Sequence, residues 1–273
     1  MWRGRRVVVA GGTAGFGLVL GRHLARAGAA CLLVGRSPAG VRRALERCEH
    51  ETGDPAAVRG LAADLEQPGE ADRVAAEATR ILGGIDDTFC CVGRSGRAAI
   101  LQTGPAELRA SLDANLIAAV GVTLAVAEEI AAARGHLVYI GSLAGKVATP
   151  FMGPYAVGKA ALAAYADAVR LELAPRGAHV LLVSPGPIAR TADDPAAGRS
   201  AARYADEAKA AGLPADAALP GGTKRLRPLD PDRLAERILE ACRRRRSELV
   251  VPRKVGILAG LIEWFPEWGR RLI

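Results

Sequence analysis

Apolar positions along the chain follow two periods that take turns. Short apolar runs rich in β-branched residues occupy 5–10 (RRVVVA), 30–35 (ACLLVG), 58–63, 86–92 (DDTFCCV), 136–141 (HLVYIG), 178–184 (AHVLLVS) and 248–252. Between them, apolar residues recur at helical spacing over 18–28, 41–51, 70–82, 105–133, 151–173 and 230–246. Strands that are apolar throughout, not alternately, are covered on both faces, as in a parallel sheet. The alternation therefore predicts an α/β fold of the Rossmann type: a doubly wound parallel sheet of about seven strands with helices on both faces and ligands at the strands' carboxyl ends. From 192 to 228 the sequence turns to Ala, Gly, Pro and charge, which predicts a mobile lid, about 187–228, with one or two short helices. A single domain over 1–252 and a separate amphipathic tail over 253–273 complete the outline.

Composition changes this picture little. With 273 residues, half of them hydrophobic, the chain can bury one full core. Cys31, Cys48, Cys90, Cys91 and Cys242 show no Cys-x-x-Cys spacing, so a reduced cytoplasmic setting fits better than disulfides, and no metal site is expected. The N-terminus reads as a first strand and not a signal peptide. No segment reaches the roughly 18 apolar residues that span a membrane.

Charge is more informative. Residues 224–273 hold 13 Lys/Arg against 7 Asp/Glu, or +6 of the chain's +8. Solvated helix ends explain such an excess, and so does an anionic partner. Nucleic acid is not expected, because aromatic platforms and a recognition helix are missing. The tail aligns Ile257, Leu258, Leu261, Ile262, Phe265, Trp268 and Leu272 with flanking basic residues. It could pack on the fold, join a dimer, or lie on a membrane surface.

Chemistry enters at the ends of the strands. The first runs into Gly11-Gly12-Thr13-Ala14-Gly15-Phe16-Gly17 and then a helix. There a glycine backbone can approach a pyrophosphate, and the helix N-terminus directs free N–H groups at it; a tight turn is the plain alternative. After the second strand stand Arg36 and Ser37, with no acid. An arginine at this place suits the 2′-phosphate of NADP(H), where an acid would read the NAD ribose. The third strand ends at Asp64-Leu65, where an acid could accept from the adenine amine, and the fourth at Gly93.

At the other end lies the stretch 140–161, IGSLAGKVATPFMGPYAVGKAA. Tyr155 and Lys159, four apart, share a helix face, and an ammonium beside a phenol lowers its pKa towards that of a general acid/base. Ser142 could hydrogen-bond the same substrate oxygen. Asn115, amid apolar residues, is either a core polar anchor or a link in a proton relay.

Taken in order, AGGTAGFG, Asp64, Asn115, Ser142, YAVGK and PGPIART resemble the short-chain dehydrogenase/reductase family over about residues 5–252. The resemblance implies that Tyr155 is the acid in reduction and the base in oxidation, and that Ser142 positions the substrate. Lys159 would bind the nicotinamide ribose and Asn115 a water, while Pro185, Gly186, Ile188 and Thr191 would meet the nicotinamide end. Cys90-Cys91-Val92-Gly93 departs from the family's Asn-Asn-Ala-Gly. Arg94, Ser95, Phe151, Met152 and Pro187 would line an apolar substrate pocket, as in lipid-directed members. The expected protein is an NADP(H)-dependent ketone/alcohol oxidoreductase (EC 1.1.1.-), a homodimer or homotetramer. It would be cytoplasmic, or peripheral to the inner face of a membrane. The alternative is an NADP(H)-binding sensor or scaffold without turnover.

Overall fold

The computed structural model describes residues 1–52, 57–190, 197–219 and 227–272. Its first half runs β1 (Arg6–Ala10), α1 (Gly15–Arg26), β2 (Ala30–Gly35), α2 (Pro38–Thr52), β3 (Val58–Ala62) and α3 (Glu70–Leu82). The second half runs β4 (Asp87–Cys90), α4 (Pro105–Leu112), α5 (Ala118–Ala132), β5 (His136–Ile140), α6 (Gly153–Leu173) and β6 (His179–Pro185). Then follow α7 (Ala197–Ala210), α8 (Pro231–Arg243), β7 (Glu248–Val251), α9 (Arg253–Trp264) and α10 (Pro266–Gly269).

The seven strands form one sheet in the order β3-β2-β1-β4-β5-β6-β7, parallel at every pairing. The expected doubly wound sheet is therefore present. Successive side chains of β1 go to opposite faces. Val7 and Val9 join a core with Leu20 and Leu24 of α1 and Leu234 and Ile238 of α8. Val8 and Ala10 join another with Val74 of α3, Val126 of α5 and Leu162 of α6. Asp-Pro at 230–231 starts α8 as its sequence suggests, with an Asp230 carboxylate oxygen accepting from Arg233 N–H at 2.9 Å. The order reverses between β1 and β4, which opens a crevice at their carboxyl ends.

Three expectations change. The run expected as one helix over 105–133 is continuous, but between α4 and α5 it widens into a π-helical turn, Asp113–Ile117. Second, that combined helix is long and apolar enough to cross a membrane by length and composition, contrary to the sequence count. Its apolarity is that of a core helix, since Ala119, Val122, Val126 and Ile130 are buried against the sheet. Third, the tail is no single stripe: α9 ends at Phe265 (φ −134°, ψ 70°). Pro266 starts α10, whose Gly269 folds back so closely that a Cβ there would stand 2.6 Å from the Cα of Ile262. Part of the C-terminal positive charge, Arg243 to Arg246, lies at the end of α8 at the amino edge of the sheet, where Arg245 donates to the Gly177 carbonyl at 2.7 Å. Short helices do occur in the lid region: α7 and a single turn at Ala215–Ala218.

Candidate active site

The glycine loop crosses the crevice at the end of β1. Gly11 has φ +79° and Gly15 φ +52°, both left-handed values that side chains disfavour. A Cβ on Gly17 would stand 2.2 Å from the Gly11 carbonyl oxygen and one on Gly11 2.9 Å from the Cys91 carbonyl oxygen. The backbone here is packed too tightly for any side chain. Ala14 at the start of α1 supplies no side-chain cap, and the first turn has no acid. The helix therefore presents unmet N–H groups and its positive end to the crevice, where Phe16 borders the core. This cradle fits a dinucleotide pyrophosphate. We expect Gly17→Ala to weaken dinucleotide binding at least about tenfold and cost roughly 1–3 kcal/mol of stability through overpacking. Fluorescence titration and thermal melts would check both.

Beside it, Thr13 packs on the end of β2, so that a Cβ on Gly35 would overlap its hydroxyl. Ser37 Oγ accepts from Gly40 N–H at 3.0 Å. Arg36 is exposed and 3.7 Å from Glu66, which also lies 3.5 Å from Arg94. Glu66, absent from the sequence expectations, thus stands between two guanidinium groups at the crevice edge. Asp64 Oδ1 accepts from Glu66 N–H at 3.3 Å, and Leu65 packs on the core.

On the other side of the switch point, the expected residues converge. Asn115 is wholly buried in the π-helical turn. Its amide donates to the carbonyls of Arg94 and Ser111, both at 3.0 Å, and accepts from Arg94 N–H at 3.2 Å. These bonds occupy both of its N–H donors, as a polar anchor for the loop after β4. At that loop Gly93 (φ +126°) could not carry a Cβ, which would meet Asn115 at 2.5 Å and the Lys159 ammonium at 2.9 Å.

Tyr155 and Lys159 both project from α6. The chain enters that helix through Phe151, whose φ of +62° is a strained value for an aromatic residue. The Phe151 carbonyl accepts from Ala98 N–H at 3.0 Å, and Met152 is buried beside it. Ser142, extended at the end of β5, accepts from Ala144 N–H at 3.2 Å and lies near enough to the Tyr155 phenol to lower its pKa. After β6, Gly186 N–H donates to Val251 at 2.7 Å, the Pro187 carbonyl accepts from Leu229 at 2.7 Å, and Ile188 bridges to Leu229. Pro185 is the last residue of β6. Thr191 lies outside the described residues.

The structure shows where the Lys159 side chain is held. Its ammonium is turned to the carbonyls of Ile140 (2.9 Å) and Val92 (3.3 Å), 6.0 Å from the centre of the Tyr155 ring. Burial lowers its own pKa to about 8. Burial also raises the Tyr155 pKa, Ser142 pulls it back, Tyr204 adds to the rise, and Arg97 opposes it. Arg97, which the sequence reading passed over, is thus a further cation whose charge favours the phenolate.

Arg97 is buried, with its guanidinium 4.0 Å above the Tyr204 ring. It donates to the carbonyls of Ala217 (2.6 Å), Leu219 (2.9 Å) and Gly96 (3.0 Å), and its backbone N–H to Glu207 (2.9 Å). Ser95 hydrogen-bonds to the Tyr204 hydroxyl. Through these contacts α7 is fastened over the Tyr155 side of the crevice. No local pattern marks them, because the partners come from distant parts of the chain. The cysteines that replace the usual asparagines are buried or half-buried, and burial pushes the Cys91 thiol up to about 12, so it stays protonated.

Comparison with known proteins agrees with this geometry. The chain is 33% identical over 188 residues to dehydrogenase/reductase SDR family member 7B of Rattus norvegicus, covering 66% of this chain and 57% of that protein. It thus spans less than two thirds of that relative's length. It is 28% identical over 189 residues to the ketoacyl reductase HetN of Nostoc sp., covering 69% and 65%. A short-chain type dehydrogenase/reductase from Mycobacterium ulcerans superposes with a TM-score of 0.74 at 23% identity, over 91% of this chain and 88% of that one. Residues 5–198 match the short chain dehydrogenase family, so the chain belongs to the short-chain dehydrogenase/reductase family of oxidoreductases, which use NAD(P)(H).

Proposed function

We propose that this protein is an NADP(H)-dependent oxidoreductase that interconverts a ketone and a secondary alcohol, with an apolar or lipid-like substrate. The meeting of Ser142, Tyr155, Lys159 and Asn115 at the end of the crevice away from Arg36 carries this reading. Gly11, Thr13, Ala14, Gly15, Phe16 and Gly17 would hold the pyrophosphate, Arg36 and Ser37 the 2′-phosphate, and Asp64 and Leu65 the adenine. Gly93, Pro185, Gly186, Ile188 and Thr191 would border the nicotinamide end, with Lys159 at the ribose. When bound, the cofactor supplies or accepts the hydride.

The chain's own residues manage the proton. A half-buried phenol with a raised pKa is protonated at neutral pH, so Tyr155 is ready to donate as charge develops on the carbonyl oxygen. Ser142 supplies a second hydrogen bond to that oxygen. Arg97 steadies the phenolate that results, a positioning role exerted through space. Phe151, Met152 and Pro187 with Ile188 give the substrate side an apolar lining, and Arg94 and Ser95 its polar margin. The likeness to a protein named a ketoacyl reductase supports an acyl-type ketone.

Cofactor choice is tested directly. Thermal shifts should be larger with NADPH than with NADH, with about tenfold tighter binding. Arg36→Asp should erase or reverse the preference. A larger shift for the wild type with NADH would overturn the assignment of Arg36.

A further inference from the structure

The C-terminal segment leaves large aromatic side chains in solvent. Trp264 is 82% exposed, Ile257 67%, and Phe265 and Trp268 58% each. They are not scattered. At 100° per residue, Arg253, Lys254, Ile257, Gly260, Leu261 and Trp264 fall on one side of α9, and Val255, Ala259 and Ile262 on the other. The second side is already used: Ala259 is buried, Gly256 packs against Val250, and Ile262 is met by Gly269. On the first side, a Cβ added to Gly260 would meet nothing within 4 Å. Among the described residues, this helix has one docked face and one apolar face unmet.

Charge separates the possible occupants. Arg253 and Lys254 open the exposed face, and Arg270 and Arg271, also exposed, follow α10. Against these four cations stand Glu263 and Glu267, a local excess of positive charge. A twofold contact between copies of this chain would place like cations against like across the axis. An anionic lipid surface would meet them with phosphates, while Trp and Phe suit the boundary between headgroups and acyl chains.

We propose that α9 and α10 form a docking surface for an anionic membrane, with Trp264, Phe265 and Trp268 inserted at the lipid interface. Arg253, Lys254, Arg270 and Arg271 hold the headgroup phosphates. The surface starts beside the crevice, since Pro252 leads from β7 into α9 and Gly186 N–H donates to Val251. Docking there brings the side of the crevice bordered by Pro187 and Ile188 towards the lipid. That last consequence rests on the proposed ketone oxidoreductase activity; the docking does not.

The test is sedimentation of the full chain with vesicles of phosphatidylcholine alone or mixed with phosphatidylglycerol. Binding should be at least about fivefold greater with the anionic vesicles and fall as salt rises. Trp264→Ser/Trp268→Ser should cut it about tenfold while the melting temperature and NADPH-induced shift stay unchanged. Absence of binding to anionic vesicles, or equal binding by the double variant, would overturn the proposal. So would a concentration-dependent dimer in light scattering that the double variant abolishes, because the face would then belong to a second copy. Turnover is not read in any arm, so a failed activity assay leaves the vesicle result intact.

Discussion

Tyr155→Phe is expected to slow ketone-dependent NADPH oxidation by about 10²–10⁴-fold, the range typical for a lost general acid. The variant removes one oxygen from a side chain that is otherwise packed, so fold and cofactor affinity should change little. Its effect should fall on kcat, because the phenol's proton is used as the carbonyl is reduced. Ser142 still offers one hydrogen bond to the substrate oxygen, which is why residual turnover is expected. Steady-state rates over a panel of ketones, with NADPH binding followed by fluorescence, separate the two effects. Equal rates in wild type and variant would sink the mechanism and leave a cofactor-binding protein without turnover.

A second large effect is expected at the opposite edge of the sheet. His136 and His179 are cross-strand partners of β5 and β6, both buried, with their Nδ1 atoms 2.7 Å apart. His179 Nε2 lies 2.8 Å from the Arg246 carbonyl, which can only accept. His179 therefore carries its proton on Nε2 and accepts from His136 Nδ1–H, with both rings neutral. Burial, reinforced by His179, Arg5 and Arg245, lowers the His136 pKa to about 3; burial also lowers that of His179.

Below its ordinary pKa of about 6.5, the unfolded His136 binds a proton that the folded form refuses. Its stabilisation is thus complete above that value and is lost as pH falls towards 3. Between pH 7 and 4 the loss from His136 is on the order of 3 kcal/mol. Urea unfolding across this range should show that slope, and His136→Gln, which can still donate to His179 but does not titrate, should flatten it. Equal slopes in the two proteins would refute this account.

Much of the architecture was legible because its causes are local. An unbroken apolar run such as 7–10 or 180–183 suits a strand covered on both faces, and seven short strand-like runs between helical periods leave few topologies. The glycine loop was legible because left-handed backbone and close approach demand glycine at 11, 15 and 17. Tyr155 and Lys159 could be set on one helix face from their spacing alone.

Other features escaped because they depend on partners far away in the chain. Lys159 could be placed on α6, but nothing local told that its ammonium would turn to the carbonyls at the ends of β4 and β5. Arg97 reads as a surface cation until α7 and the turn at Ala215–Ala218 bury it under Tyr204. Glu66 becomes part of the crevice edge only when three separate loops bring it between Arg36 and Arg94. The tail's apolar residues were legible as amphipathic, yet the Phe265 break and the packing of Ala259 selected which of them remain exposed.

Periodicity and turn chemistry thus settled the parallel sheet, the glycine cradle and the shared helix of Tyr155 and Lys159, since each follows from a few neighbouring residues. Tertiary packing settled how Arg97 is buried beneath Tyr204, how Asn115 is satisfied and which side of α9 meets solvent. Burial and electrostatics depend on groups brought together across the whole chain, and spacing along the sequence carries no record of them.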